Sequence, residues 1–396
     1  MINDIKECSA MDRHKKQMLF SLLRFAICGT GLAKEEINNY SPALLKPLLE
    51  ISAKHDVIHL LAYGIKENCL APSEIGEIEQ LIFKAVYRHQ RMKYDYDTIC
   101  EALEKAEIPF IPLKGSVIRN YYPEPWMRTS CDIDILVREE DTERAKVILT
   151  EDYGYSYHGK CSHDLSFYTP ANTHIELHHD LLEDGIANKA SDVLRDVWSM
   201  STLCDGYSFR YEMTDDMLYF YHIAHMAKHF ENGGCGIRPF IDLLILDGIE
   251  GADKEKRDTL IVKGNLLTFA NAVRKLVGVW FKNEEYDFIS GEIEEYILSG
   301  GVFGTEENRV MLQQSKSGGK FRYAMSRIFL PYERLKYHYP ILKKHKWLTP
   351  FMEVRRWFKL IFRGGVKRSV NELKTNSGIT KEQAERTQAL LSAVGL

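Results

Sequence analysis

The chain has 396 residues, a formal net charge of −4, 45% hydrophobic residues and 27% charged residues. This length suggests two or three domains, and the apolar content argues against global disorder. The near-neutral charge gives no overall signal for nucleic acid, and no uncharged apolar run approaches the roughly 18 residues of a membrane-spanning helix. Eight cysteines without a CxxC pair, and an N-terminus without the apolar core of a signal peptide, favour a reduced, cytoplasmic protein.

The first region, residues 1–96, is predicted to be helical. Apolar residues recur at helical spacing from Asp12 to Ile27, and Ser41-Pro42 is typical of a helix start with proline in its first turn. A pattern without proline or glycine from Glu77 to Glu107 predicts one long helix that continues into the next region.

The second region, residues 97–205, alternates strands and helices. Short apolar or alternating runs predict strands, and longer periodic runs predict helices. In chain order the elements are an extended segment at Ile108–Leu113, a turn at Lys114–Ser116, a helix at Val117–Tyr122, a strand at Asp132–Val137, a helix at Glu139–Glu151 and a strand at His174–His178. This order of elements indicates an α/β or α+β domain, with helical regions on both sides.

The third region, residues 206–396, is again predicted to be helical. A glycine-rich loop is expected at 300–304, and the polar residues 305–325 favour a mobile segment. The helical pattern covers Asp215–Phe230, Arg238–Ile249 and, as two helices, Lys254–Phe281.

Two aspartates, Asp132 and Asp134, stand two residues apart on a predicted strand. Side chains at i and i+2 of a strand point to the same face, about 7 Å apart, so the two carboxylates can share divalent cations. Alone, this spacing is more often a solvated strand face, but here the alternating isoleucines and Val137 make the opposite face apolar. Glu176, on the later strand, is the best candidate for a third carboxylate.

The turn Lys114-Gly115-Ser116 lies between an extended segment and a predicted helix. Glycine lets the backbone approach a phosphate closely, and the N-terminus of a helix favours negative charge. Ser116 adds a hydroxyl donor and Lys114 a cation. The alternative is a simple tight turn with a capping serine.

The segment Ile108–Ser116 (IPFIPLKGS), followed by Arg128 and by Asp132–Val137 (DIDILV), resembles a bacterial nucleotidyltransferase family of the polymerase-β superfamily, whose members carry LKG…R…DIDLLV. The later His174–His178 (HIELH) is similar to that family's hydrophobic–acid–Leu–His strand. The resemblance implies an α+β fold class: a polymerase-β-like core, with a small mixed sheet and helices, between N- and C-terminal helical regions.

The resemblance also implies an activity and roles for residues. The enzyme would move a nucleoside monophosphate from an NTP to a hydroxyl acceptor and release pyrophosphate. Asp132 and Asp134 would bind two Mg²⁺ ions, with Mn²⁺ as an alternative, and Gly115 and Ser116 would hold the β- and γ-phosphates. Glu176 would bind the second metal and serve as general base. Many superfamily members carry Asp at this third position, so the longer Glu departs from the pattern.

Neighbouring side chains are weaker candidates, each weighed against a structural role. Arg128 is predicted to contact the triphosphate or to stabilise transition-state charge, and Lys114 to bind the nucleotide; the alternative for both is a structural ion pair. Arg119 is a weaker candidate of the same kind. His178, on the strand face of Glu176, is predicted to contact substrate or metal, with a hydrogen-bonded structural role as the alternative.

The first helix of the third region carries His222, His225 and His229 on one face. This spacing suits zinc, but no acidic or cysteine partner stands at ligand spacing, so a core-facing or cleft-facing stripe is favoured. His222 and His225 are therefore second-tier candidates for substrate contact. Arg238 and Asp242, at i and i+4, are also second-tier candidates and are predicted to pair with each other.

Residues 334–368 form a basic segment, with eleven Lys and Arg residues against a single acidic residue, Glu353. Tyrosines and tryptophans are interleaved with these cations. A solvated helix face is the default interpretation, and RNA or another anionic partner, or a membrane surface, is the alternative.

Three functions therefore remain open from the sequence. The first is an Mg²⁺-dependent nucleotidyltransferase that acts on a small molecule or, like toxin-type relatives, on RNA or protein. The second is a non-catalytic nucleotide-binding or regulatory module, and the third is a metal hydrolase built on the helical histidines. The three carboxylates favour the first, because a degenerate site would have lost one of them.

Overall fold

A computed structural model describes residues 13–161, 163–181, 189–302, 304–362 and 366–396 of the chain. The described residues form two compact units, one within residues 1–228 and 236–302 and the other within residues 229–235 and 303–396. None of the described helices is both long enough and apolar enough to cross a lipid bilayer.

The first unit consists mainly of helices, together with a five-stranded sheet and a two-stranded hairpin. The long helix predicted from Glu77 to Glu107 is confirmed as α5, and the helix predicted from Asp215 is confirmed as α9, whose last three residues belong to the second unit. The helices of this unit are α1 (Arg13–Cys28), α2 (Lys34–Asn39), α3 (Leu45–Lys54), α4 (Ile58–Glu67), α5 (Ile75–Lys105), α6 (Gly115–Ile118), α7 (Thr142–Glu151), α8 (Lys189–Leu194), α9 (Asp215–Glu231), α10 (Arg238–Asp247), α11 (Lys254–Lys263), α12 (Leu267–Phe281) and α13 (Phe288–Leu298).

The sheet of the first unit has five strands in the order β1-β2-β5-β4-β3. β2 and β5 run parallel, and every other neighbouring pair is antiparallel. The predicted α+β class and small mixed sheet are thereby confirmed, and β2 and β5 have the predicted bounds. The strands are β1 (Phe110–Pro112), β2 (Asp132–Val137), β3 (Ser156–Lys160), β4 (Asp164–Tyr168) and β5 (His174–His178).

The two faces of this sheet differ in chemistry because side chains alternate along each strand. One face is apolar and packs against α5 and α7 in a fully buried core. The other face carries the acidic and imidazole side chains of β2, β4 and β5. The apolar face includes Ile133, Ile135, Val137, Leu165, Phe167, Ile175 and Leu177.

A short hairpin of β6 (Ser201–Leu203) and β7 (Tyr211–Met213) adjoins the β1 edge of the sheet. The backbone N–H of Phe110 donates to the carbonyl oxygen of Phe209 at 2.9 Å. This contact satisfies a backbone donor at the sheet edge that would otherwise be unpaired.

The second unit is helical. Residues 305–325, expected to be mobile, instead form helices, because Val310, Met311 and Tyr323 are buried in a small core with Ile379. Some of the polar residues that suggested mobility, such as Glu306 and Glu307, are exposed, whereas Asn308 and Gln314 are buried. The helices are α14 (Glu306–Lys316), α15 (Lys320–Ile328), α16 (Tyr332–His338), α17 (Thr349–Phe362), α18 (Val366–Gly378) and α19 (Lys381–Ala393).

Candidate active site

The parallel pairing of β2 and β5 brings the acidic residues of the two strands side by side. In the register of this pair, Asp132 lies opposite His174 and Asp134 lies opposite Glu176. Neighbouring strands are about 4.8 Å apart, so side chains that share a face at paired positions are within reach of common ligands. The structure therefore places all three predicted carboxylates on one face of the sheet.

Asp134 is the most buried member of this group, with 3% of its surface exposed. Its Oδ1 accepts hydrogen bonds from Lys114 Nζ at 2.7 Å and from His178 Nε2 at 2.9 Å. Burial alone would raise the pKa of Asp134, but the charge of Lys114 and the hydrogen bond from His178 hold that pKa well below its usual range. Asp134 is therefore a fixed carboxylate anion.

The pKa values of Lys114 and His178 respond in the opposite sense. Burial opposes the charge of both groups, yet the Asp134 carboxylate keeps the pKa of Lys114 above its ordinary range. Hydrogen bonds to Asp134 and Glu176 likewise raise the pKa of His178. This cluster holds the Lys114 ammonium and the His178 imidazole against one carboxylate oxygen.

Asp132 and Glu176 are only partly buried and face the accessible side of the cluster. Burial, and then the neighbouring Asp134 carboxylate, raise the pKa of Asp132. Glu176 lies 3.5 Å from His178 Nε2 and 3.8 Å from His174 Nδ1 through its two carboxylate oxygens. These two acids are therefore placed to accept an additional cation.

Within the described parts of the chain, three groups of side chains bring potential metal ligands within 4.8 Å of one another. Two of them share Glu176, one with Asp132 and His174 and one with Asp134 and His178. Carboxylate oxygens suit Mg²⁺, and the added imidazole nitrogens are compatible with Mn²⁺. The donor set thus fits one or two divalent cations at this face. The third group contains His163, Asp164 and His178.

The turn Lys114-Gly115-Ser116 joins β1 to the short helix α6, directly beside Asp134. Lys114 has a φ of +47°, a strained backbone conformation for a residue with a side chain. The same residue forms the ion pair with Asp134. Arg119 secures the turn, donating from Nε to the carbonyl oxygen of Gly115 at 2.7 Å and from Nη2 to Ser130 Oγ at 2.7 Å. Lys114 is thereby directed at the acidic face.

Gly115 is required by close packing rather than by its own dihedral angles. A Cβ at this position would lie 2.4 Å from Ser130 Oγ and 3.1 Å from Arg128 Nη1, and both side chains are held by other hydrogen bonds. Gly115→Ala is therefore expected to lower the free energy of unfolding by about 1–3 kcal/mol, measured by urea denaturation.

The matched control for this substitution is Gly291→Ala in α13, where an added Cβ meets no atom within 4 Å. Alanine favours an exposed helix over glycine by about 1 kcal/mol, so this variant should be as stable as the parent or more stable. Equal stability of both alanine variants would contradict the packing role of Gly115.

Arg128 pairs with Asp242 and not with a carboxylate of the cluster. Its Nε and Nη2 donate to the two carboxylate oxygens of Asp242 at 2.7 and 2.9 Å, and the pair is buried. Arg238 instead donates to Asp56 Oδ2 at 2.6 Å. The predicted pairing of Arg238 with Asp242 is wrong, because the nonlocal Arg128 occupies both oxygens of Asp242.

The helix α9 supplies residues beside the cluster that the sequence did not single out. Tyr221 is buried, and burial raises the pKa of its phenol. After burial, the largest influences on that pKa are the charges of Lys114 and Asp134. Burial and Lys114 lower the pKa of Lys228 to about 8, while Glu176 and Asp134 act in the opposite direction. Tyr221 and Lys228 stand at i and i+7, a spacing that could have revealed them as one helical face.

The predicted histidines of α9 have other surroundings. His222 is buried and its Nε2 is 2.9 Å from the carbonyl oxygen of Pro239, whereas the ring of His225 lies 6.1 Å from that of Tyr221. Neither belongs to a potential metal-ligand group among the described residues. His225 shares the Tyr221 face of the helix, and His222 contacts the start of α10.

A family model described as uncharacterised nucleotidyltransferase matches residues 42–281. That range includes α3 to α12, the five-stranded sheet and every residue of the carboxylate cluster. No curated protein and no solved structure matches the chain.

Proposed function

Because the chain belongs to the uncharacterised nucleotidyltransferase family and is an enzyme of that class, we propose that it moves a nucleoside monophosphate from an NTP to a hydroxyl acceptor in an Mg²⁺-dependent reaction. We also assign its five-stranded sheet to the polymerase-β type of nucleotidyltransferase core. The acceptor is a small molecule or, in the toxin-like variant of this proposal, RNA or protein.

The observation that carries this proposal is the register of β2 and β5. In this register Asp134 lies opposite Glu176, and Asp132 lies two residues before Asp134 on the same face of the sheet. Three carboxylates therefore lie close together beside the Lys114 turn. A solvated strand face would carry no such buried ion pair, and a purely structural ion pair would need only one carboxylate.

The proposed roles follow from burial and charge. Asp132, Asp134 and Glu176 hold divalent cations, which when bound stabilise charge on the attacking and leaving oxygens of the transfer. Glu176 belongs to two of the potential ligand groups, one on the Asp132 side and one on the Asp134 side, which supports a site for two ions. His178 orients Asp134 through its hydrogen bond, and the Lys114 ammonium offsets negative charge where the triphosphate enters.

The transfer itself makes one bond and breaks one. The acceptor oxygen bonds to the α-phosphorus, the bond from that phosphorus to the bridging β-oxygen breaks, and pyrophosphate leaves. The hydroxyl proton passes to Glu176, a partly exposed carboxylate, acting as general base. Gly115 and Ser116 are assigned to the β- and γ-phosphates.

The test uses ATP, GTP, CTP and UTP, each labelled with ³²P either at the α- or at the γ-position. The full-length protein is incubated with Mg²⁺ and a deproteinised small-molecule extract, or with total RNA and protein. Nucleotidyl transfer moves the α-label to an acceptor and leaves the γ-label in pyrophosphate. Chelation by EDTA should stop the reaction, and added Mg²⁺ or Mn²⁺ should restore it.

The control is the double variant Asp132→Ala/Asp134→Ala, assayed in parallel. Movement of the γ-label to an acceptor would identify a phosphoryl transfer instead, and α-label transfer that survives in the double variant would place the chemistry elsewhere. NTP binding without turnover, across all acceptors, would favour the regulatory alternative.

A further inference from the structure

The second unit presents a row of apolar side chains to solvent along α17. Four of them lie at helical spacing within 12 residues, so they fall on one side of the helix. Their exposed fractions are large for apolar residues in a folded unit: Phe351 63%, Val354 48%, Phe358 57% and Phe362 81%. We call these four residues the α17 stripe.

The orientation of α17 is the reverse of an ordinary amphipathic helix. Glu353 lies on the inner side, where it is buried, accepts a hydrogen bond from the backbone of Leu330 at 2.6 Å and pairs with Arg356 at 2.8 Å. Trp357 donates to the carbonyl oxygen of Ile328 at 2.9 Å on the same inner side. The polar contacts thus fix the helix so that its apolar side faces outward.

Further apolar side chains of the second unit are exposed in the elements before α17. Trp347 lies 6.4 Å from Phe351, ring centre to ring centre, and continues the α17 stripe at its N-terminal end. Ile341 and Phe329 are also about half exposed. An apolar surface of this kind marks an interaction site more often than chance exposure does.

Within residues 334–368, the exposed charges that the structure describes have a single sign. Arg355 and Lys359 are exposed beside it on the helix, and Lys343, Lys344 and Lys346 are exposed in the segment before it. The only acidic residue of 334–368 is the buried Glu353, which its own partners neutralise. The partner must therefore be apolar where it meets the stripe and anionic around it.

We propose that the α17 stripe docks this enzyme on an anionic membrane surface. An interfacial helix with aromatic residues on one side and flanking Lys and Arg residues fits the boundary between acyl chains and acidic headgroups. RNA fits less well, because Val354 and Ile341 offer no stacking surface to a base. A second copy of the chain would bring two basic flanks together.

The experiment is flotation of the full-length protein with vesicles of phosphatidylcholine alone or mixed with phosphatidylglycerol. The protein should float with the mixed vesicles and much less with phosphatidylcholine alone, and high salt should weaken the binding. Phe358→Ser/Phe362→Ser should lower the partition coefficient at least about tenfold, because two large apolar side chains no longer enter the interface. Arg355→Gln/Lys359→Gln should weaken binding only to the anionic vesicles.

A matched control exists in the first unit. Phe83 and Tyr87 form an exposed pair on α5 with ring centres 6.5 Å apart, like Phe358 and Phe362 at 6.3 Å. Phe83→Ser/Tyr87→Ser should leave vesicle binding unchanged, and thermal unfolding checks that each variant is folded.

Any of four results would overturn the proposal. Two concern the vesicles: the absence of flotation, and flotation that the Phe358 and Phe362 substitutions leave intact. The third is a dimer in sedimentation velocity that the Phe358 and Phe362 substitutions convert to monomers. The fourth is binding of poly(U) RNA that Arg355→Gln/Lys359→Gln abolishes while no vesicle binds. None of these readouts depends on NTP turnover.

Discussion

Asp132→Asn is expected to lower nucleotidyl transfer about a thousandfold or more without weakening the fold. Within the described residues, the side chain of Asp132 makes no hydrogen bond or ion pair, and burial and the Asp134 carboxylate both raise its pKa. Folding therefore disfavours the ionised carboxylate relative to the unfolded chain, so the neutral amide should leave the free energy of unfolding unchanged or higher. The measurements are α-label transfer and urea denaturation.

Asp134→Asn is the informative comparison, because it should lose both activity and stability. The neutral amide would leave Lys114 Nζ, 2.7 Å away, as a buried ammonium without its counter-charge. A pair of variants that are equally inactive but differ in stability would separate the catalytic role of the acidic face from its structural role. If Asp132→Asn retained near-parental transfer, the cation site would have to lie elsewhere.

The sequence predicted β2 and β5 at their observed bounds because both alternate polar and apolar residues with period two. It did not predict β3, whose side chains are mostly exposed and which therefore shows no apolar alternation. Nor could it specify that β2 and β5 are parallel neighbours, since they are joined through α7, β3 and β4. The pairing of Asp134 with Glu176 depends on that topology.

The partners of charged residues were the least predictable part of the site. Local spacing favoured Arg238 with Asp242, one helical turn apart, whereas the structure joins Asp242 to Arg128, 114 positions away in the chain. Lys114 and Asp134, predicted as separate parts of the site, are joined by a direct ion pair. A one-dimensional pattern finds residue types at helical or strand spacing, but long-range ion pairs form only after the core sets the positions of the elements.

The buried pair of Arg128 and Asp242 gives the second large prediction, this time for stability. Asp242 accepts two hydrogen bonds from Arg128 and one from Tyr122 Oη at 2.7 Å, and after burial the largest influence on its pKa is Arg128, which lowers it. Asp242→Ala would leave a buried guanidinium without its partner, so a loss of about 3–5 kcal/mol is expected in urea denaturation. Arg128→Met should be comparably destabilising, because it would leave the buried Asp242 carboxylate without its counter-charge.

The double variant Arg128→Met/Asp242→Leu decides between this role and triphosphate binding. Removing both charges together should cost less than either single change, because no buried charge is left uncompensated. Asp192→Ala, at the exposed pair of Arg195 and Asp192, should cost at most about 1 kcal/mol in the same assay. If Arg128→Met instead left stability intact and raised only the KM for NTP, Arg128 would act on the nucleotide. The two hydrogen bonds from Arg128 to Asp242 favour the structural role. They anchor the segment before β2 to α10, and through that anchor Arg128 holds Asp132 and Asp134 in place.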